Sequence, residues 1–130
     1  MRQYTDQIIL LNAAAADGAS GAALFADFRN VELEIAMAGF TGTVKVVASN
    51  ADARPAFGSG ASASNPWDYV KCINQIDGSA VNGGTGVSGT ATTSITQLEL
   101  NTNAFKWVGV IVSGYSAGAV TVKAKGVSND

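Results

Sequence analysis

Two stretches of the chain alternate apolar and polar residues, and this alternation limits the fold more than any other feature. Residues 31–37 read VELEIAM and residues 120–125 read VTVKAK, so every second side chain is apolar. A period of two is typical of a β-strand with one buried face. Helical spacing is nearly absent from the rest of the chain. The sequence therefore predicts an all-β protein.

Each alternating stretch is joined to a second apolar stretch by a glycine-bounded segment, which predicts two β-hairpins. The first spans residues 30–50, turns at residues 39–42 and pairs Met37 with Val44. The second spans residues 105–125, with a loop at 114–118 that pairs Val112 with Val120. These registers gather the apolar side chains of each hairpin on one face. Packing the two faces together predicts an antiparallel β-sandwich or jelly-roll-like fold of seven to nine short strands.

The segments between the hairpins are predicted as short strands and long loops. Strands are expected at residues 7–12, 67–75 and 97–100. The Gly- and Ser-rich residues 51–66 and 77–94 are expected to form surface loops. Loops of this length in a small domain are usually functional or disordered.

Length and charge indicate the kind of partner. At 130 residues the chain is predicted to be a single domain, residues 1–130, with residues 1–28 as a candidate arm that contacts neighbouring molecules. Charged residues make up 14% and the net charge is −2, without a basic run that would follow a phosphate backbone. The apolar runs are shorter than the ~20 residues of a membrane helix. We expect neither nucleic acid nor membrane as a partner, and a surface suited to self-association.

Two segments match catalytic or cofactor motifs but lack their context. Residues 114–118 (GYSAG) match the G-x-S-x-G nucleophile motif, yet the chain has no histidine to act as base. Residues 84–89 (GTGVSG) match G-x-G-x-x-G, yet neither a buried strand before them nor a helix after them is predicted. Both segments are interpreted as turns or loops.

No set of side chains suggests catalysis or transition-metal binding. Without histidine and with Cys72 as the only cysteine, zinc and iron sites are excluded in practice. Cys72 is predicted to be a buried thiol. Oxygens of Asn50, Asp52 and Asp68 could serve a calcium ion, but no EF-hand loop is present. We therefore predict no cofactor, no metal, no catalytic residue and no enzymatic activity.

Four aromatic or apolar residues are the candidate site residues. Trp107 and Ile111 are predicted to lie on the face opposite the valines, where another part of the chain or another molecule must cover them. With Trp67 and Tyr115 they are the candidate residues of a subunit interface, and packing in the core of the chain is the other interpretation of these aromatic residues. The alternative is a carbohydrate-binding surface, in which Tyr69 and these aromatic rings stack on sugars. On the interface hypothesis, Trp107→Ala weakens assembly more than folding.

The C-terminal segment resembles a known group of proteins. Residues 107–122 (WVGVIVSGYSAGAVTV) combine a tryptophan-led valine strand, a Tyr-containing glycine turn and a Thr-Val strand. Residues 42–52 and Trp67 add to the likeness. This pattern is similar to that of small virion structural proteins of tailed bacteriophages, which include capsid decoration (cement) proteins and tail or fibre components. The resemblance covers about half of the chain.

The resemblance implies a non-enzymatic virion protein. Its expected role is capsid decoration and stabilisation through subunit contacts. The expected partners are further copies of the chain and other virion proteins such as the major capsid protein. The expected location is the virion, assembled in the host cytoplasm. The alternative role is a tail- or fibre-associated module that binds a receptor or carbohydrate.

Overall fold

A computed structural model describes residues 2–4, 6–102 and 105–129 of the chain. The described residues contain ten strands and no helix, which confirms the predicted all-β class. The strands are β1 Arg2–Tyr4, β2 Ile8–Ala14, β3 Gly18–Ala19, β4 Ala23–Leu24, β5 Asn30–Ser49, β6 Asp68–Tyr69, β7 Cys72–Asn74, β8 Ala80–Val81, β9 Val87–Asn101 and β10 Trp107–Asn129.

All ten strands belong to one antiparallel sheet with β10 near its centre. The main order is β1-β10-β5-β9-β7-β8. One edge of β10 pairs with β5 along nearly its whole length, and the other edge pairs in turn with β1, β2, β3 and β4. Four short strands within the segment predicted as a candidate arm, residues 1–28, therefore pair with β10 of the same chain. The strand predicted at residues 7–12 corresponds to β2.

The two predicted hairpins are wrong. Residues 30–49 form one strand of 20 residues and residues 107–129 form one strand of 23, and these two strands pair with each other. Met37 pairs with Val120 rather than Val44, and Val112 pairs with Val44 rather than Val120.

The strands continue because their glycines bend the chain without reversing it. Gly39, Gly114 and Gly118 have φ angles of 59°, 63° and 76°, a left-handed conformation that glycine adopts readily. The pairing of β10 with β5 shifts register between Ser113 and Ala119, which places the two bends together. A bulge of this kind bends a strand and increases its twist.

The apolar face of the bent sheet forms one buried cluster. It includes residues from both halves of β5, both halves of β10 and the end of β9, among them Leu33, Val46, Leu98, Val110 and Val122. These side chains are at most 4% exposed. Because the described residues contain no helix to cover this face, the sheet must curl around it, as the predicted sandwich requires.

Two shorter segments differ from their predicted secondary structure, and the predicted burial of Cys72 can be checked. Residues 87–94, expected in a loop, form the first half of β9, a strand of 15 residues. Residues 67–75 form two short strands, β6 and β7, rather than one. Cys72 on β7 is 1% exposed, and burial raises the pKa of its thiol to about 12, so the predicted buried thiol is confirmed.

Candidate functional site

The outer face of β10 is covered by a loop of the same chain. The sequence left open whether another part of the chain or another molecule covers Trp107, and in the structure its side chain is only 7% exposed. It packs in a second buried cluster with Ala22, Val47 and Phe57, and Phe57 comes from the loop of residues 50–67. We call residues 50–67 the covering loop. Trp107 is thus part of the interior of this chain rather than of an exposed surface.

Polar and cationic contacts hold the covering loop against Trp107. The indole N–H donates a hydrogen bond to the carbonyl oxygen of Ala51 at 2.8 Å. The guanidinium of Arg54 lies 4.8 Å from the centre of the indole ring, and the Lys106 ammonium lies 5.8 Å from it. Arg54 also donates a hydrogen bond to the carbonyl of Ala22, which joins the loop to the N-terminal segment. Cation–π contacts of this kind add to the apolar burial.

Of the other three candidate residues, Trp67 and Ile111 pack against the Trp107 cluster, whereas Tyr115 packs against the main core cluster. Ile111 is half-buried and packs against the Trp107 cluster. Tyr115 lies at the bend of β10, where its hydroxyl donates to the carbonyl of Gly118 at 2.7 Å and its ring centre is 6.1 Å from that of Phe40. Tyr115 therefore stabilises the bend.

Trp67 lies at the end of the covering loop and borders a groove. Its ring meets Phe57 and Tyr69 edge-on, with centroid distances of 6.1 and 5.5 Å. Its indole N–H donates to the carbonyl of Ser59 at 3.0 Å. The groove has a volume of about 490 Å³. Its lining consists of Ala48, Ser49, Asn50, Ala61, Ser62, Pro66, Trp67, Asp68 and Phe105.

A second groove lies along the N-terminal segment. It has a volume of about 430 Å³ and is lined by Ile8, Ile9, Leu10, Gly21, Ala22, Ala23, Leu24 and Arg54. Ile9 is 55% exposed and Leu24 is 51% exposed. Sequence reasoning did not identify either residue, because residues 22–28 carry no clear alternation and Ile9 lies in an unbroken apolar run.

Two carboxylates face each other on the outer side of the sheet. Glu32 on β5 pairs directly with Glu99 on β9, and Lys125 on β10 is the partner of Glu32 on its other side. Ile73 on β7 is the other neighbour of Glu99. Desolvation, a hydrogen bond to Glu99 and the repulsion of its charge raise the pKa of Glu32 to about 7. The Glu32 carboxyl therefore keeps its proton in mildly acidic solution.

Glu32→Gln is expected to remove a pH dependence of folding stability. The folded-state pKa of Glu32 is raised above its usual 4.5, so the stability that its protonation provides is complete below 4.5 and is lost as the pH rises to about 7. The loss is no more than about 1 kcal/mol, because both carboxylates are half exposed. Urea unfolding of the wild type and of Glu32→Gln, at pH values below 4.5 and above 7, measures this change in the free energy of unfolding.

Glu34→Gln is the matched control for this prediction. Glu34 accepts a hydrogen bond from Gln97 at 3.2 Å and pairs with Lys123, so it faces no carboxylate on the adjacent strands. Its variant should keep the pH dependence of the wild type. An equal loss of that dependence in both variants would contradict the role of the Glu32–Glu99 pair.

The part of the chain that the structure describes holds no cluster of metal ligands. It contains no group of three or more Cys, Asp or Glu side chains that could hold a metal ion. Residues 114–118 lie within β10, and residues 84–89 lead from a turn directly into β9. A helix able to cross a membrane is not found among the described residues.

Comparison with known proteins gives a match at the level of fold. No family model matches the chain, and no curated protein sequence matches it. Superposition on the SPBc2 prophage-derived protein YomS gives a TM-score of 0.74 over 98% of this chain and 96% of YomS. The chain has the fold of YomS. Sequence identity to YomS is 16%.

The PBSX exported protein XepA contains the same fold as part of a longer chain. The TM-score is 0.75 and the identity is 13%, over 98% of this chain. The match covers 38% of XepA. At these identities, the likeness to YomS and XepA concerns the fold.

Proposed function

We propose that this chain is a non-enzymatic structural protein of a bacteriophage and that it acts by contact with other particle proteins. The observation that carries this proposal is the fold, which is shared over almost the full length of YomS. YomS is named as a protein derived from the SPBc2 prophage, and XepA is named as an exported protein of PBSX. The likeness of residues 107–122 to virion proteins of tailed phages points in the same direction.

The surface of the molecule supports a role in contacts rather than chemistry. Several large apolar side chains are exposed on a protein with few charges, namely Ile9, Leu24, Ile76 and Ile95. Ile9 and Leu24 border one groove, so together they offer a larger apolar surface than isolated side chains would. This groove replaces Trp107 in our proposal as the principal contact surface.

The finer role that we propose is capsid decoration. The chain would bind the major capsid protein and further copies of itself on the assembled particle, with the Ile9–Leu24 groove against the neighbouring protein. Burial of two exposed aliphatic side chains contributes on the order of 3 kcal/mol at each contact, and the symmetry of a shell repeats the contact many times.

The test is incorporation into particles of the phage that encodes the chain. Particles purified on a density gradient are analysed by quantitative mass spectrometry, and an antibody locates the protein by electron microscopy. We expect the wild-type protein on heads, and a loss of at least about tenfold when Ile9 and Leu24 are both changed to lysine. Ile76→Lys is the control, since Ile76 is 76% exposed and lies outside the groove.

Two results would contradict the proposal at different levels. Wild-type protein found only in the culture medium or the cytoplasm, and absent from particles, would exclude a virion protein. Protein found on tails rather than heads would exclude capsid decoration while keeping the virion role.

A further inference from the structure

We infer that the groove beside Trp67 binds a neutral sugar ring. This inference goes beyond the proposed structural role and does not depend on where the protein is located on a particle. It rests on the side chains that line the groove, on the rigidity of the loop that carries them and on the absence of a basic group from the lining.

The lining combines aromatic and hydroxyl-binding groups. Trp67 and Phe105 provide apolar ring surface, and Asn50, Ser62 and Asp68 provide polar atoms beside it. A pyranose has an apolar side formed by its C–H groups and a rim of hydroxyl groups. A flat indole with carboxylate and amide groups nearby matches both parts of such a ligand.

The charge of the lining selects against anionic ligands. Among the described residues that line the groove, Asp68 is the only one with a charged side chain, and none is Lys or Arg. A phosphate, a sulfate or an acidic sugar would therefore meet a carboxylate without a compensating cation. A neutral sugar meets no such repulsion and can donate hydroxyl hydrogen bonds to the Asp68 carboxylate.

Trp67 is held in position before any ligand arrives. The indole N–H of Trp67 is bonded to the carbonyl of Ser59. The side chain of Asn65 makes further hydrogen bonds within the same loop. The Asn65 side chain donates to the carbonyls of Ala56 and Gly60 at 3.0 and 3.2 Å and accepts from the Ala56 N–H at 2.8 Å. A binding surface that is already ordered loses little conformational entropy on binding.

Tyr69 packs against Trp67 but is not itself the surface on which a sugar would stack. The ammonium group of Lys45 lies 5.3 Å from the centre of the Tyr69 ring and occupies one side of it. Tyr69 in turn meets Trp67 at an interplanar angle of 88°. Trp67 lines the groove and Tyr69 does not, so Trp67 is the residue on which a sugar would stack.

The experiment is an NMR titration of the ¹⁵N-labelled full chain. The probes are oligosaccharides of β-linked glucose and of N-acetylglucosamine, each at millimolar concentration. The chain has two tryptophans, so two indole N–H signals are expected. The Trp67 signal should move, whereas the signal of the buried Trp107 should stay in place and serve as an internal control.

Variants complete the test. Trp67→Ala should weaken binding at least about tenfold, and Asp68→Asn should weaken it by a smaller factor without disturbing the core. Ile76→Ala, outside the groove, should bind like the wild type. Circular dichroism checks that each variant is folded. No movement of the Trp67 signal with any probe, or binding that Trp67→Ala and Asp68→Asn leave unchanged, would overturn the inference.

Discussion

Gly118→Ala is expected to lower the free energy of unfolding by about 3–5 kcal/mol and to leave the protein largely unfolded at moderate temperature. A Cβ at this position would lie 2.2 Å from the carbonyl oxygen of Gly39 and 2.6 Å from that of Ala38. Both contacts are with backbone, so no side chain can move aside. The φ angle of 76° adds strain for any residue other than glycine.

Gly114→Ala separates the effect of close contact from that of backbone strain. Gly114 belongs to the same bend and has a similar φ of 63°, but a Cβ there would meet nothing within 4 Å. Gly114→Ala should therefore lower the free energy of unfolding by only about 1 kcal/mol. Urea unfolding followed by circular dichroism measures both variants. Equal losses would show that the approach of β10 to β5 at Gly118 does not limit the fold.

Trp107→Ala is expected to lower the free energy of unfolding by about 3–5 kcal/mol, which reverses the expectation from the sequence. The variant loses the contacts of a 7% exposed indole with Val47 and Phe57 and leaves a cavity beneath the covering loop. It also loses the hydrogen bond to Ala51 that holds this loop. We expect faster hydrogen exchange in residues 51–66 together with the lower stability.

Trp107→Phe is expected to have a stability between those of the wild type and Trp107→Ala. It keeps an aromatic ring over the sheet but removes the indole N–H, so the loss should be about 1–2 kcal/mol. A Trp107→Ala protein of wild-type stability that fails only to assemble would contradict the buried position and restore Trp107 as an interface residue.

The alternation of apolar residues was sufficient to predict which side chains face the core. Met37, Val44, Val112 and Val120 were all expected to point inward, and all four are buried. The partners were not predictable, since two hairpins and two long strands place the same residues on the same face. Exchanging partners between Met37–Val44 and Val112–Val120 gives the observed pairs Met37–Val120 and Val44–Val112. Only the conformation of the glycines distinguishes the two cases, and glycine is compatible with both.

The candidate site was less accessible to sequence reasoning. Residues 51–66 were predicted to form a long surface loop, of a length that is usually functional or disordered, and Trp67 was predicted as a site candidate. The position of Phe57 over Trp107 depends on where the loop folds back. The groove beside Trp67 also depends on Asn50 and Asp68, which are 18 residues apart and carry no local pattern. Sequence periodicity reports the face of a strand, whereas the path of a loop is determined by tertiary contacts.

The central position of β10 has a consequence for how the molecule acquires its structure. β10 follows the other nine strands in the chain, yet β1 to β5 all pair with it. A ribosome-bound chain that ends before Trp107 lacks this shared partner. The backbone groups of β1 to β5 that pair with β10 are therefore unpaired until β10 has been synthesised. Because nearly every pairing spans a large separation along the chain, folding should be slow, on the order of milliseconds to seconds. Synthesis of the last described strand is therefore the step that commits the polypeptide to its native state.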